Sequence, residues 1–212
     1  MDHFDIDSTQ DTRRDEQLSR LVDLGVHSLS AHTVDAFMAL GRGIELEPDG
    51  VVVVHPSLVA ASVLAPLLSR EARPGFVVED MTDLDEFRPV DGLNVPDASL
   101  YSIGPVDRGD DMRNWSPHEA LAEITARGRR PLTVSEGISW LLQQPEQLEP
   151  NFCFMTIGSR KHKPRGLDAR TPAIWISNGA GRDGSERRGA PKVGWCWAGN
   201  RHTWLGFAST AR

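Results

Sequence analysis

The chain has 212 residues, 39% hydrophobic and 25% charged, enough apolar content for one large or two small soluble domains. A formal net charge of −7 excludes wholesale coating of nucleic acid, and two cysteines are too few for a disulfide framework or a Cys-rich zinc site. No segment approaches the ~18 consecutive apolar residues of a membrane span, and the acidic first seven residues lack the basic and apolar parts of a signal peptide, so a cytoplasmic protein is expected.

Residues 1–12 are polar, acidic and without periodicity, and are expected to form a disordered tail. Residues 13–212 are expected to form a single α+β domain, with an acidic helical and mixed part at 13–150 and a basic β part at 151–212. Residues 15–43 read as two helices, the second capped by Ser30, with Val34, Phe37 and Met38 on one face and Gly41 or Gly43 at its end. The run Val51–Val54 follows the turn Pro48-Asp49-Gly50 and reads as a buried strand. An Ala-rich helix is expected over 57–68, ending or kinking at Pro66, with further strands at 76–78 and 100–103.

Ser116-Pro117-His118-Glu119 is a capping box with Pro at the first helical position, and Thr133-Val134-Ser135-Glu136 is a second. Two capped helices around the short basic link 127–131 invite a helix-turn-helix reading. The second helix is too apolar and lacks early base-reading side chains, so core packing is the expectation. The remainder is strand-like at 152–157, 173–177, 193–198 and 203–207, which completes a mixed or antiparallel sheet with helices and a Trp-rich antiparallel end. The last two strands are expected to pair as a hairpin around residues 199–202. Alternation places Val193, Trp195 and Trp197 on one face and Gly194, Cys196 and Ala198 on the other, flat enough for a helix or a ligand to approach. Trp175 and Trp195 are expected to be core residues.

Charge divides the chain sharply. Residues 151–212 carry eleven Lys or Arg against three acids, whereas residues 1–150 carry twelve Arg against twenty-seven acids. Four of the six tryptophans lie in the basic part. A basic surface with aromatic faces suits an anionic, flat or ring-bearing partner.

The stretches RPLTVSEG at 130–137, GSR at 158–160, PAIWIS at 172–177 and GWCWAGNRHTWLG at 194–206 resemble a family of uncharacterised actinobacterial proteins with a domain of unknown function. The resemblance covers the chain from about residue 50 onward. It implies a bacterial cytoplasmic protein and brings no activity, catalytic residue or cofactor.

The ligand-binding candidates are Asn200, Arg201 and His202 on the expected turn, Trp197 and Trp204 beside it, and Arg160 and Arg170 around the basic loop 159–165. Together with the Gly- and Arg-rich loop 179–192 they would form a rim for a nucleotide, a short nucleic acid or a phosphorylated small molecule. Two alternatives stand beside this. One is an enzyme acting on a small anionic substrate through His202, with a divalent metal held by Asp80, Asp83, Asp85 and Glu86; Cys196 with His202 is a further nucleophile–base pairing. The other is a protein-interaction module whose basic end meets an acidic partner or a second copy of the chain; as packing alone, the basic loops would face the acidic first half across an internal or dimer interface.

Overall fold

The computed structural model of the chain describes residues 3–211. It opens with three helices, α1 (His3–Asp23), α2 (Val26–Leu29) and α3 (Val34–Gly41), where the periodicity indicated two. Thr33 caps α3 by accepting from the Ala36 amide at 3.2 Å, whereas Ser30 closes α2. Phe37 is buried as expected, but Val34 is exposed. Helix α1 takes in residues 3–12 of the expected tail; Met1 and Asp2 lie outside the described residues. The helix is anchored further along, where Leu18 and Leu21 are fully buried, and Arg14 bridges Asp11 and Asp15 one turn before them.

The centre of the molecule is β1 (Val51–Val54), which pairs antiparallel with β6 (Leu100–Ile103). All four valines are buried because α6 (Val134–Gln143) lies against the strand, and Ser139 of that helix accepts the Val54 amide at 3.1 Å. Every residue of α6 is buried, so it is a core helix and offers no face to DNA. The Ala-rich stretch before Pro66 is a short helix, α4 (Ala61–Leu64), that tightens into one further turn at the proline. Minor pairings join β2 (Ser69–Arg70) to β3 (Arg73–Pro74), β5 (Arg88–Pro89) to β9 (Ser159–Arg160), and β7 (Arg129–Pro131) to β13 (Ser209–Ala211). No helix among the described residues is long and apolar enough to cross a membrane.

The principal sheet has five strands in the order β12 (Leu205–Phe207), β8 (Cys153–Met155), β10 (Arg170–Ile176), β11 (Pro191–Trp197) and β4 (Phe76–Val77). β10 and β11 pair antiparallel over seven residues, and β8 runs antiparallel to β10. The two outer strands, β4 and β12, are parallel to their neighbours. The hairpin expected from 193–198 and 203–207 is therefore absent. Both edges of β11 are taken, by β10 and β4, so the chain after Trp197 crosses to the far edge and pairs with β8.

Strand alternation sorts the sheet into two faces that pack differently. Phe154, Ile174 and Val193 point to α6 and join the core around β1, with Trp195 packed beside them. Cys153, Met155, Ala173, Leu205 and Phe207 point the other way, to Ala120 and Ile124 of α5 (Pro117–Ala126) and to Met112. Both capping boxes form as read, with Ser116 and Glu119 opening α5 and Thr133 and Glu136 opening α6. The small-residue face is thus covered by a helix at its β8–β12 end, while Trp175 and Cys196 stay half-buried towards β11.

Gly158 locks β7 to the segment before β9. Its amide donates to Leu132 O at 2.9 Å, and its carbonyl accepts from Val90 N at 2.9 Å. A Cβ there would lie 2.6 Å from Leu132 O and 2.8 Å from Pro131 O, backbone atoms that cannot rotate away. Gly158→Ala is expected to destabilise the protein by about 1–3 kcal/mol, read as a lower urea midpoint; an unchanged midpoint would show that β7 can shift.

Candidate functional site

The basic end is largely matched by acids of the first half. Arg170 forms ion pairs with Asp83 at 2.6 Å and Asp168 at 2.9 Å, and Lys161 reaches Asp83 at 2.7 Å and Glu86 at 2.8 Å. The Arg170 guanidinium is the main cause that holds the Asp83 carboxyl at about 2, and it holds Asp168 below the usual carboxylate range as well. Asp80 meets Arg182 at 3.4 Å, and Asp85 accepts from the Ser62 hydroxyl at 2.5 Å. Asp80, Asp83, Asp85 and Glu86 are therefore spread over cations and a hydroxyl. Among the described residues no group of three or more His, Cys, Asp or Glu is placed to hold a metal ion. The acidic run supplies counter-charges to the basic loops, which is the internal form of the charge pairing.

The tail motif folds back onto the start of α5. The His202 carbonyl accepts from Asn114 N at 2.9 Å, and Arg201 binds Glu119 at 2.7 Å and the Asn114 carbonyl at 3.1 Å. The Glu119 carboxyl is held at about 2, first by the Ser116 amide and then by Arg201. His202 stacks on Trp204 with ring centroids 4.7 Å apart and planes 20° from parallel. Trp204 nonetheless keeps 52% of its surface in solvent.

These rings border a cavity of about 440 Å³ on the small-residue face of the sheet. Phe152, Trp175, His202 and Trp204 supply aromatic walls, Cys153, Ala173 and Cys196 small ones, and Asn151 and Asn178 polar ones. Trp195 also borders the space, but its indole belongs to the opposite face, packed on Trp197 at 4.6 Å with Nε1 donating to Asp80 at 3.3 Å. Cations lie against two of the wall rings. Arg108 and Arg113 lie 4.7 and 4.6 Å from the Phe152 ring centroid, and Lys192 lies 4.8 Å from that of Trp175. Arg108 is tied to Asp110 and Glu149 and Lys192 to Asp183, whereas among the described residues the one carboxylate near Arg113 is Asp110, at 3.8 Å.

The candidate residues separate into three places. His202 and Trp204 border the cavity, and Arg201 and Asn200 brace the loop that carries them, Asn200 by donating to Cys196 Sγ at 3.6 Å. Trp197 packs on Trp195 across the sheet from it, in register with Arg170, which belongs to the ion cluster. Arg160 stands apart; its Nη2 donates to the Asp168 carbonyl at 2.7 Å and its Nε is buried without a partner. Both cysteines are free. Burial pushes the Cys153 thiol well up, which makes it an inert wall. Among the described residues no hydrogen bond joins Cys196 to His202, so the nucleophile–base pairing has no geometric support.

A family model described as a family of unknown function, DUF5701, matches residues 18–212. The chain belongs to DUF5701. No curated protein and no solved structure matches it. The DUF5701 match takes in every residue that borders the aromatic cavity. Within this DUF5701 chain the sequence pointed to His202 and Trp204 but not to Phe152, Arg108 or Arg113. Trp175, expected in the core, is half-buried and forms a wall of the cavity. Phe152 carried no signal, because its arginine neighbours come from a segment about forty residues earlier.

Proposed function

We propose that this protein binds a flat, ring-bearing small molecule that also carries an anionic group. The observation that supports it is the aromatic cavity itself, in which Phe152, Trp175, His202 and Trp204 border about 440 Å³, a volume in the range of small-molecule sites. The ring stacks against Trp204, whose outer surface is open, and Asn151 and Asn178 offer amide donors and acceptors to its edge. The anionic group meets Arg113, which lies against the Phe152 ring and, among the described residues, has no ion pair closer than the 3.8 Å approach to Asp110. The ligand is a mononucleotide or a molecule of that build. Two free cysteines fit a reducing compartment, in keeping with a cytoplasmic protein of actinobacterial type.

Quenching of tryptophan fluorescence by AMP, adenosine and inorganic phosphate separates the contributions of ring and charge. AMP is expected to bind tighter than either part. Trp204→Ala is expected to weaken AMP binding by about 1–3 kcal/mol with an unchanged melting temperature. Equal affinity in the variant, or no binding of AMP and adenosine by the wild type, would overturn the reading.

A further inference from the structure

Two more cavities follow α5, away from the tryptophans. One of about 460 Å³ is bordered by Pro117 and Leu121, and the other, of about 510 Å³, by Leu121 and Thr125; Val90 and Asp91 border both. Residues 117, 121 and 125 recur every fourth position and so form one line along the helix. The two cavities share Val90, Asp91 and Leu121 and adjoin along one face of α5, a groove spanning about 12 Å, eight residues at ~1.5 Å each.

An arginine stands towards each end. Arg160 borders the cavity at the start of the helix, and Arg129 the one near its end. Both are half-buried, and among the described residues neither forms an ion pair with a carboxylate. Their bonds go to neutral oxygens instead. Arg160 donates to the Asp168 carbonyl at 2.7 Å, and Arg129 to the Ser209 hydroxyl at 2.9 Å and to the Pro105 and Ser209 carbonyls at 2.9 and 2.8 Å. Arg160 Nε is buried with no partner. The nearby Asp168 carboxylate acts on Arg160 only at a distance, being bound by Arg170 and Lys163. Removing a guanidinium from water without a directly paired carboxylate is unfavourable, and an incoming oxyanion would offset that cost. His118 and His162 border the same cavity as Arg160 and add further nitrogen donors or acceptors. By contrast, Arg130, which also borders the groove, is already bound by Glu136.

We propose that this groove binds an elongated small molecule with an oxyanion at each end and an uncharged middle. The middle is set by Asp91, which borders both cavities and whose carboxylate lies 3.7 Å from His162 Nε2, a negative charge that would repel continuous negative charge. A polyphosphate or a nucleic-acid strand fits this wall badly; a molecule with two separated phosphates or carboxylates fits it well.

Calorimetric titration of the full chain with hexanediol bisphosphate, inorganic phosphate and a short polyphosphate tests it. The bisphosphate is expected to bind at least about ten-fold tighter than phosphate, and Arg160→Gln and Arg129→Gln each to remove about that factor. His118→Ala, at an exposed position, carries the test at the Arg160 end if Arg160→Gln does not fold, and is also expected to weaken binding. Trp204→Ala is expected to leave bisphosphate affinity unchanged, which separates this groove from the aromatic cavity. Equal affinities for phosphate and bisphosphate, polyphosphate binding as tight as bisphosphate, or folded variants with wild-type affinity would each overturn the proposal.

Discussion

Glu136→Gln is expected to lower the unfolding free energy by about 3–5 kcal/mol. The Glu136 side chain has no solvent exposure, and its two oxygens accept from both terminal nitrogens of Arg130, at 2.7 and 3.0 Å. They also accept from the Thr133 amide at 2.7 Å and from the Tyr101 hydroxyl at 3.2 Å. Burial, with Glu136 next to it, pushes the Tyr101 phenol far up, so it stays protonated and remains a donor. Gln keeps the shape but presents an NH₂ group to a ring of donors. It leaves the Arg130 guanidinium, only 13% exposed, without a counter-charge and weakens the cap of α6 against β1. Urea unfolding at neutral pH measures the loss. A change below about 1 kcal/mol would mean that the pocket admits water around Arg130.

The caps of α5 and α6 were legible because a capping box is local, its two hydrogen bonds joining residues three apart. Strand positions were legible for a related reason, since β-branched and aromatic runs between glycines and prolines mark pleated segments whatever they pair with. Pairing was not legible. A four-residue gap between 198 and 203 favours a hairpin locally, but β11 is claimed by β10 across seven registered pairs and by β4 from 116 residues earlier (Lys192 opposite Phe76). Alternation correctly put Cys196 and Trp195 on opposite faces, and the two core clusters divide along that line.

The candidate site was partly legible. The GNRHTW run drew attention to His202 and Trp204, which border the aromatic cavity, because a polar turn beside aromatic strands is a common place for binding groups. The charge split was real, yet its sign alone could not show that residues 79–86 would meet the basic loops and neutralise Arg170 and Lys161. Nor could composition show that Arg108 and Arg113 would flank Phe152. Contacts of that kind depend on which loops the sheet order brings together.

Asp168→Asn is expected to cost about 3 kcal/mol and to change how stability depends on acid. The Asp168 side chain, 2% exposed, accepts from the Arg170 amide at 2.8 Å and from its guanidinium at 2.9 and 3.2 Å, and Lys163 adds 2.9 Å. Arg170 holds both Asp168 and Asp83 below the ordinary carboxylate range. A carboxylate with a depressed folded-state pKa contributes stability that is complete above its unfolded value of ~3.9 and is lost as pH falls through the folded one. For Asp83 that window runs from about 4 down to about 2. Wild-type stability should therefore fall steeply across that range. The Asn variant lacks one of the two titrating partners, so its curve should start lower and run flatter over the same pH interval. Urea midpoints taken from neutral pH down to about pH 2.5 distinguish the outcomes. A curve parallel to wild type would mean that Asp168 contributes packing alone and that its charge does not hold the basic loop against the sheet.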